Sequence, residues 1–175
     1  MSDQSAVPIE LVRSSVLGQY EAALAMLRQV VDACPDDAWE QPVANGSARW
    51  GAYHALVFTE VYLGQSEEAY EPSEFYREGG EELGDQPGRG LSRGRTLQYL
   101  RHCLALARSV VAVDSLAAPD GFGRGMSRLQ MHLYNIRHIQ HHAAQLSAHV
   151  RRQHPLTPHR AMPWIGRGWR EPSAT

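Results

Sequence analysis

Residues 131–152 read MHLYNIRHIQHHAAQLSAHVRR, and their spacing decides the fold class. On a helical wheel of roughly 100° per residue, Ile136, Ile139, Ala143, Leu146 and Val150 form one apolar arc. His138 and His142 sit together at the edge of that arc, within roughly 40° of each other. His149 falls near them further along, while His141 points nearly opposite, with Arg137, toward solvent. The segment reads as an amphipathic helix that carries two imidazoles inward, one turn apart.

Three other segments share this periodicity, and none shows the sustained alternation of a strand. The first begins near Pro8, continues through Ile9, Val12, Val16, Tyr20, Leu24, Leu27, Val31 and Cys34, and ends at Cys34-Pro35. The second follows the Asn45-Gly46 turn signal and a Ser47 cap. It is expected over about residues 47–69, with Trp50, His54, Val57, Phe58 and Val61 on one face. The third is expected over about 92–114, capped by Ser92, with Leu97, Leu100, Leu104, Ala107 and Val111 inward. After the turn-rich AAPDGFGRG, the last helix is expected from about Ser127 to Gln153. The expected architecture is all-α, a four-helix bundle over residues 1–154. An irregular tail rich in Pro, Trp and Arg follows over 155–175, with Trp164 and Trp169 packing back onto the bundle. Residues 66–90 are acidic and too long for a tight hairpin. They read as a long crossover between helices two and three that lets those two run parallel; a lid or a mobile loop are the other readings.

The chain has 175 residues, about one domain. At 43% apolar and 21% charged it can build a core without disulfide staples, which excludes disordered, collagen-like and disulfide-scaffold classes. A net charge of −2 gives no global pull toward nucleic acid, although residues 151–170 carry five Arg and no acid. All 17 basic residues are Arg, so lysine Schiff-base, lysine general-base and Walker-type chemistry are excluded. Residues 1–87 hold 16 acids against 4 Arg, a net of −12, and residues 88–175 hold 13 Arg against 3 acids, a net of +10. The halves are expected to attract each other, within one fold or across a dimer; a separate anion-binding surface on the second half is the alternative. Cys34 and Cys103 read as buried free thiols of a reducing compartment. The start MSDQSAVPIE has no signal-peptide pattern and no apolar run approaches a membrane span. A cytoplasmic location is expected, with neither membrane nor nucleic acid as partner. The Arg-only, Ala- and Gly-rich composition points to a bacterial source.

Nine His is a high number for this length, and seven of them follow position 131. The Cβ atoms of His138 and His142 should stand about 5–6 Å apart, within reach of one ion. His54, central in the apolar face of the second helix, is the candidate third ligand. The alternative is a core histidine network bonded to carbonyls or Tyr hydroxyls. HExxH, ExxH and GxSxG are all missing, which excludes zincin, di-iron and nucleophile-elbow chemistry. A Cys–His nucleophile is a poor fit, because Cys103 directly follows His102 and helix neighbours point apart.

The stretches WGAYHALVFTEVYLG (50–64) and LYNIRHIQHHAAQL (133–146) resemble the DinB-like family of four-helix-bundle metalloproteins. Its superfamily includes bacillithiol S-transferases and mycothiol-dependent maleylpyruvate isomerase. The resemblance spans about residues 8–153. It implies an up-down-down-up helix order, a homodimer, and a divalent metal on His54, His138 and His142. The isomerase branch differs in having Glu where this chain has His138. Zinc or nickel is the expected metal, with iron or manganese next. Three neutral imidazoles would leave the ion its full charge and an open position, suited to activating a low-molecular-weight thiol as a metal-dependent transferase. The alternative is a non-catalytic, metal-stabilised binding or stress-response protein. Trp50 and Phe58 are candidates for a dry wall, and Tyr134, Asn135 and Gln145 for acceptors behind the ligands.

Overall fold

The computed structural model describes residues 7–43, 46–79, 90–153 and 164–169. Four long helices dominate: α1 (Ile9–Ala33), α3 (Ala48–Leu63), α4 (Arg93–Val113) and α5 (Arg128–Gln153). A single-turn helix α2 (Asp36–Trp39) and a two-residue ribbon, β1 (Pro42–Val43) with β2 (Gly46–Ser47), join α1 to α3. The expected cap residues do their work. Ser47 Oγ accepts from Trp50 N at 3.1 Å, and Ser92 Oγ from Arg95 N at 3.4 Å. Ser127 and Gln130 form a reciprocal capping box, Ser127 Oγ accepting from Gln130 N and Gln130 Oε1 from Ser127 N.

Helices α1 and α3 each pack against both α4 and α5, which closes a ring of four. Contacts fix the directions. Arg13, at the start of α1, donates to Asp114 O at the end of α4 (3.2 Å), so these two are antiparallel. Tyr53 faces Tyr99, and Cys103 Sγ reaches Leu56 O, so α3 and α4 run parallel. Asn135 Nδ2 donates to Thr59 O (3.1 Å) and His142 faces His54, so α5 opposes α3 and therefore parallels α1, which it meets at Tyr20–His132. The order is up-down-down-up.

Four expectations need correction. The second helix ends at Leu63 rather than near residue 69, because Gly64 turns out of it while its carbonyl accepts from Arg128 Nη1 at 2.8 Å. The crossover, over its described part 64–79, is neither lid nor loose loop. It lies along the α3–α4 seam, with Phe75 stacked on Tyr99 at 4.8 Å, Tyr53 Oη accepting from Arg77 N, and Glu74 paired with Arg95. Residues 80–89 lie outside the described residues. Ile9 is 48% exposed, since the first turn of α1 overshoots the core. In the tail, Trp169 packs beneath Arg28 (4.3 Å) and Gly168 N donates to Gly18 O, but Trp164 is 75% exposed. The rest of that tail lies outside the described residues.

A buried polar cluster ties the helix ends together. Asp114 caps the end of α4, and its Oδ2 accepts from Arg128 Nε (2.8 Å) and His132 Nε2 (2.9 Å). With Nε2–H on the carboxylate, His132 Nδ1 accepts from Tyr20 Oη at 3.1 Å. Arg128 and His132 are almost fully buried. Burial holds the His132 imidazole below its ordinary pKa of 6.5, outweighing the pull of the Asp114 carboxylate. Below about pH 6.5 the unfolded chain therefore takes up a proton that the folded cluster refuses, so stability is lost as the pH is lowered. His132→Gln is expected to cost about 1–3 kcal/mol at neutral pH. It should also flatten the dependence of the denaturation midpoint on pH, measured on metal-free protein between about pH 6.5 and 5. An unchanged slope would remove His132 from this role.

Candidate metal centre

Two stripes of rings meet across the α3–α5 seam. On α3, every fourth residue contributes: Trp50, His54, Phe58 and Tyr62. On α5 the same step gives Tyr134, His138 and His142. Rows at this spacing are the ridges by which two helices interdigitate. The rings interlock accordingly. His54 lies 4.6 Å from Trp50, 4.7 Å from Phe58, 5.4 Å from His138 and 4.9 Å from His142, between ring centroids. Phe58 and Tyr62 continue the wall past His138, at 5.6 and 6.2 Å.

The structure brings the three expected imidazoles together. One nitrogen from each of His54, His138 and His142 lies within 4.8 Å of the others. His138 Nε2 and His142 Nε2 stand 3.1 Å apart. Two nitrogens about 2.0–2.1 Å from one tetrahedral ion would be roughly 3.3 Å apart, so this pair already has a shared-ion spacing. His54 is buried and the other two are half-buried at the seam. Burial, then the neighbouring imidazoles, pushes His138 down to about 4 and His142 down to about 3. Both rings are therefore neutral at pH 7, the form that ligates metal. The donor set fits a divalent transition ion.

Of the three acceptors expected behind the ligands, Gln145 alone acts on a ring of the cluster, its side chain drawing the His142 pKa up against burial. Tyr134 turns to Tyr62 instead (5.4 Å), and Asn135 is spent on Thr59 O. His138 Nδ1 is buried without a hydrogen-bond partner among the described residues. Trp50 and Phe58 do form the wall. His149 is buried but outside the cluster, and His141 is exposed as expected. The Cys–His alternative closes, because burial raises the thiol pKa of both cysteines, Cys34 up to about 11.

Sequence reasoning missed three features. Tyr62 extends the α3 stripe by one more four-residue step, so the wheel could have found it. His132 lies one heptad before Ile139 and shares its buried face. Glu60, 5% exposed, accepts from Tyr70, Tyr99 and His102 on the opposite side of α3. No local pattern announces it, since its partners come from two other segments.

A family model described as the DinB superfamily matches residues 19–146, from within α1 to within α5. The chain belongs to the DinB superfamily. The match contains all three clustered histidines of this DinB-superfamily chain. No curated protein and no solved structure matched it. Replacing Gln145 with Leu removes the partner of His142 and should weaken metal affinity by about ten- to a hundred-fold. Competition with a chromogenic chelator measures this, and the metal-free protein should melt as wild type does. Undiminished affinity would show that Gln145 does not orient the ring.

Proposed function

We propose that this chain holds a divalent transition metal, zinc or nickel first, on His54, His138 and His142, and uses it to transfer a low-molecular-weight thiol to an electrophile. The observation that carries this reading is a cluster of three imidazoles, with His138 and His142 neutral at pH 7, that no fourth His, Cys, Asp or Glu joins among the described residues. Catalytic metal sites keep a position open in this way, whereas structural sites are closed by four protein ligands.

When bound, the ion supplies an open Lewis-acid position that lowers the pKa of a thiol placed there. In the overall reaction a carbon–sulfur bond forms at the electrophile, its leaving group departs with the bonding pair, and the thiol proton passes to solvent. The chain's own residues set the conditions. Gln145 orients His142. Trp50, Phe58 and Tyr62 keep water off one side of the cluster. Burial and the neighbouring Tyr134 hold the Tyr62 phenol up at about 12, so at pH 7 it can donate a hydrogen bond but cannot take a proton. Neither buried cysteine competes as a nucleophile.

A second reading has its own observation. Apart from the imidazoles, the wall is aromatic, with no carboxylate among the described residues that cluster there. On this reading the bundle is a metal-stabilised binding or stress-response protein without turnover. Both readings carry a homodimer and a reducing cytoplasm with them; light scattering at working concentration tests the first. Among the described residues, no helix is long and apolar enough to cross a membrane.

The deciding experiment loads the protein with zinc or nickel and screens small thiols against a chromogenic alkyl or aryl halide. Metal-dependent turnover, lost in His138→Ala together with one bound equivalent of metal, is the expected result. Turnover that survives in metal-free protein would overturn the proposal. A metal that raises only the melting temperature, with no turnover, would select the second reading.

A further inference from the structure

A surface depression of about 410 Å³ opens beside His138, lined by Tyr134, Arg137, His138, Gln140 and His141. Among the described residues, no acid lines it. Arg137 is exposed and makes no ion pair among the described residues. A second cation stands over the Tyr134 ring. The guanidinium carbon of Arg124 lies 5.4 Å from the Tyr134 ring centroid and 5.3 Å from that of Tyr62.

Arg124 is held by a loop built to hold it. Asp120, 2% exposed, accepts from the backbone N–H groups of Phe122 (2.6 Å), Arg124 (3.4 Å) and Met126 (2.8 Å). Asp120 N returns a bond to Met126 O at 3.0 Å, closing the turn. Gly121 has φ +76°, and a Cβ there would fall 1.9 Å from Gln65 O, so only glycine lets the loop press against the chain leaving α3. Phe122 then meets Tyr62 edge-on at 5.9 Å, and Arg124 Nη2 donates to Tyr62 Oη at 3.3 Å. Among the described residues that is its one side-chain hydrogen bond, and no carboxylate pairs with it. Asp120 feels its charge, but both oxygens of that carboxylate already accept backbone N–H groups. Glu67 approaches Tyr62 from the chain beyond α3 and does not line the depression.

Among the described residues, then, one arginine with unspent donors lines an acid-free depression together with His138, and a second stands over Tyr134, another of its lining residues. A guanidinium stacked on aromatic rings is pre-organised and loses little freedom when a planar carboxylate docks on it. We infer that this depression takes the carboxylate end of the molecule whose other end occupies the histidine cluster, with Arg124 and Arg137 as the residues that select for negative charge. The inference rests on the reading of the cluster as a ligand-binding metal site, and it deepens that reading by naming the substrate class: thiols that carry a carboxylate.

Two measurements separate the inference from the reading beneath it. The first uses metal-free protein and NMR of the arginine Nε–H groups, titrated with hexanoate and, separately, hexanol. Hexanoate should shift the Arg124 and Arg137 signals, less so in high salt, and hexanol should not. No shift with hexanoate overturns the inference whatever the metal does. The second loads the protein with cobalt as a coloured probe and follows its absorption on adding mercaptohexanoate or the equally long mercaptohexanol. The acid is expected to bind about five- to ten-fold more tightly. Arg124→Ala and Arg137→Ala should each shrink that preference and leave the alcohol's affinity unchanged. Equal affinities in wild type overturn the inference. If neither thiol perturbs the cobalt spectrum, the thiol reading fails, and the hexanoate titration still decides whether the depression binds carboxylates.

Discussion

The Asp114 carboxylate is the constraint on which the rest of the structure depends. It stands at the C-terminal end of α4, where the helix dipole already disfavours negative charge. Buried there alone it would cost several kcal/mol. It is tolerated because Arg128 and His132, one turn apart on α5, both donate to the same oxygen. Satisfying both at once fixes the rotation and the axial register of α5. His138 and His142 lie six and ten residues beyond His132, about 9 and 15 Å along the axis. A register set at one end of the helix thus sets where two imidazoles meet His54 near its middle.

Helix α3 is the second fixed member. Thirteen of its sixteen residues are buried, so it is wrapped on nearly all sides rather than on one stripe. Toward α4 it presents Glu60, which gathers Tyr70, Tyr99 and His102. Toward α5 it presents the ring stripe that holds His54. Polar demands on opposite sides leave the helix one rotation that meets both, which is how a buried polar group can specify a unique packing. The described part of the crossover reinforces this by covering the Glu60 side, away from the histidine cluster.

The lopsided charge of the chain has a partial account in the same frame. Arg93 pairs with Asp36, Arg95 with Glu74 and Arg108 with Glu21, each bond joining the basic half to the acidic half. Such exposed pairs are individually worth little. They nonetheless show that mutual attraction within one fold absorbs part of the asymmetry. Arg124 and Arg137 have no acidic partner among the described residues, and the carboxylate subsite proposed above is where the anion-binding alternative would act.

The sequence by itself determined the four long helices, their caps at Ser47 and Ser92, and the histidines that share a face, because these follow from local spacing at 3.6 residues per turn and from side chains bonding their own backbone. It also excluded whole chemistries through residue types that are missing. The end of α3 at Leu63 was not legible, because Gly64 leaves the helix while its carbonyl is claimed by Arg128, sixty-four residues away. The same holds for the Glu60 and Asp114 clusters, whose partners come from distant segments and carry no periodic signature. The orienting partner of a ligand was equally undecided. Tyr134, Asn135 and Gln145 all lie within about one turn of a ligand, but which of them reaches an imidazole depends on what the neighbouring helix offers instead. Tyr62 claims Tyr134 and Thr59 claims Asn135, so Gln145 is left for His142. Only the packing of α3 against α5 could make that choice, since competition between helices is a property of the assembled bundle and of no single segment.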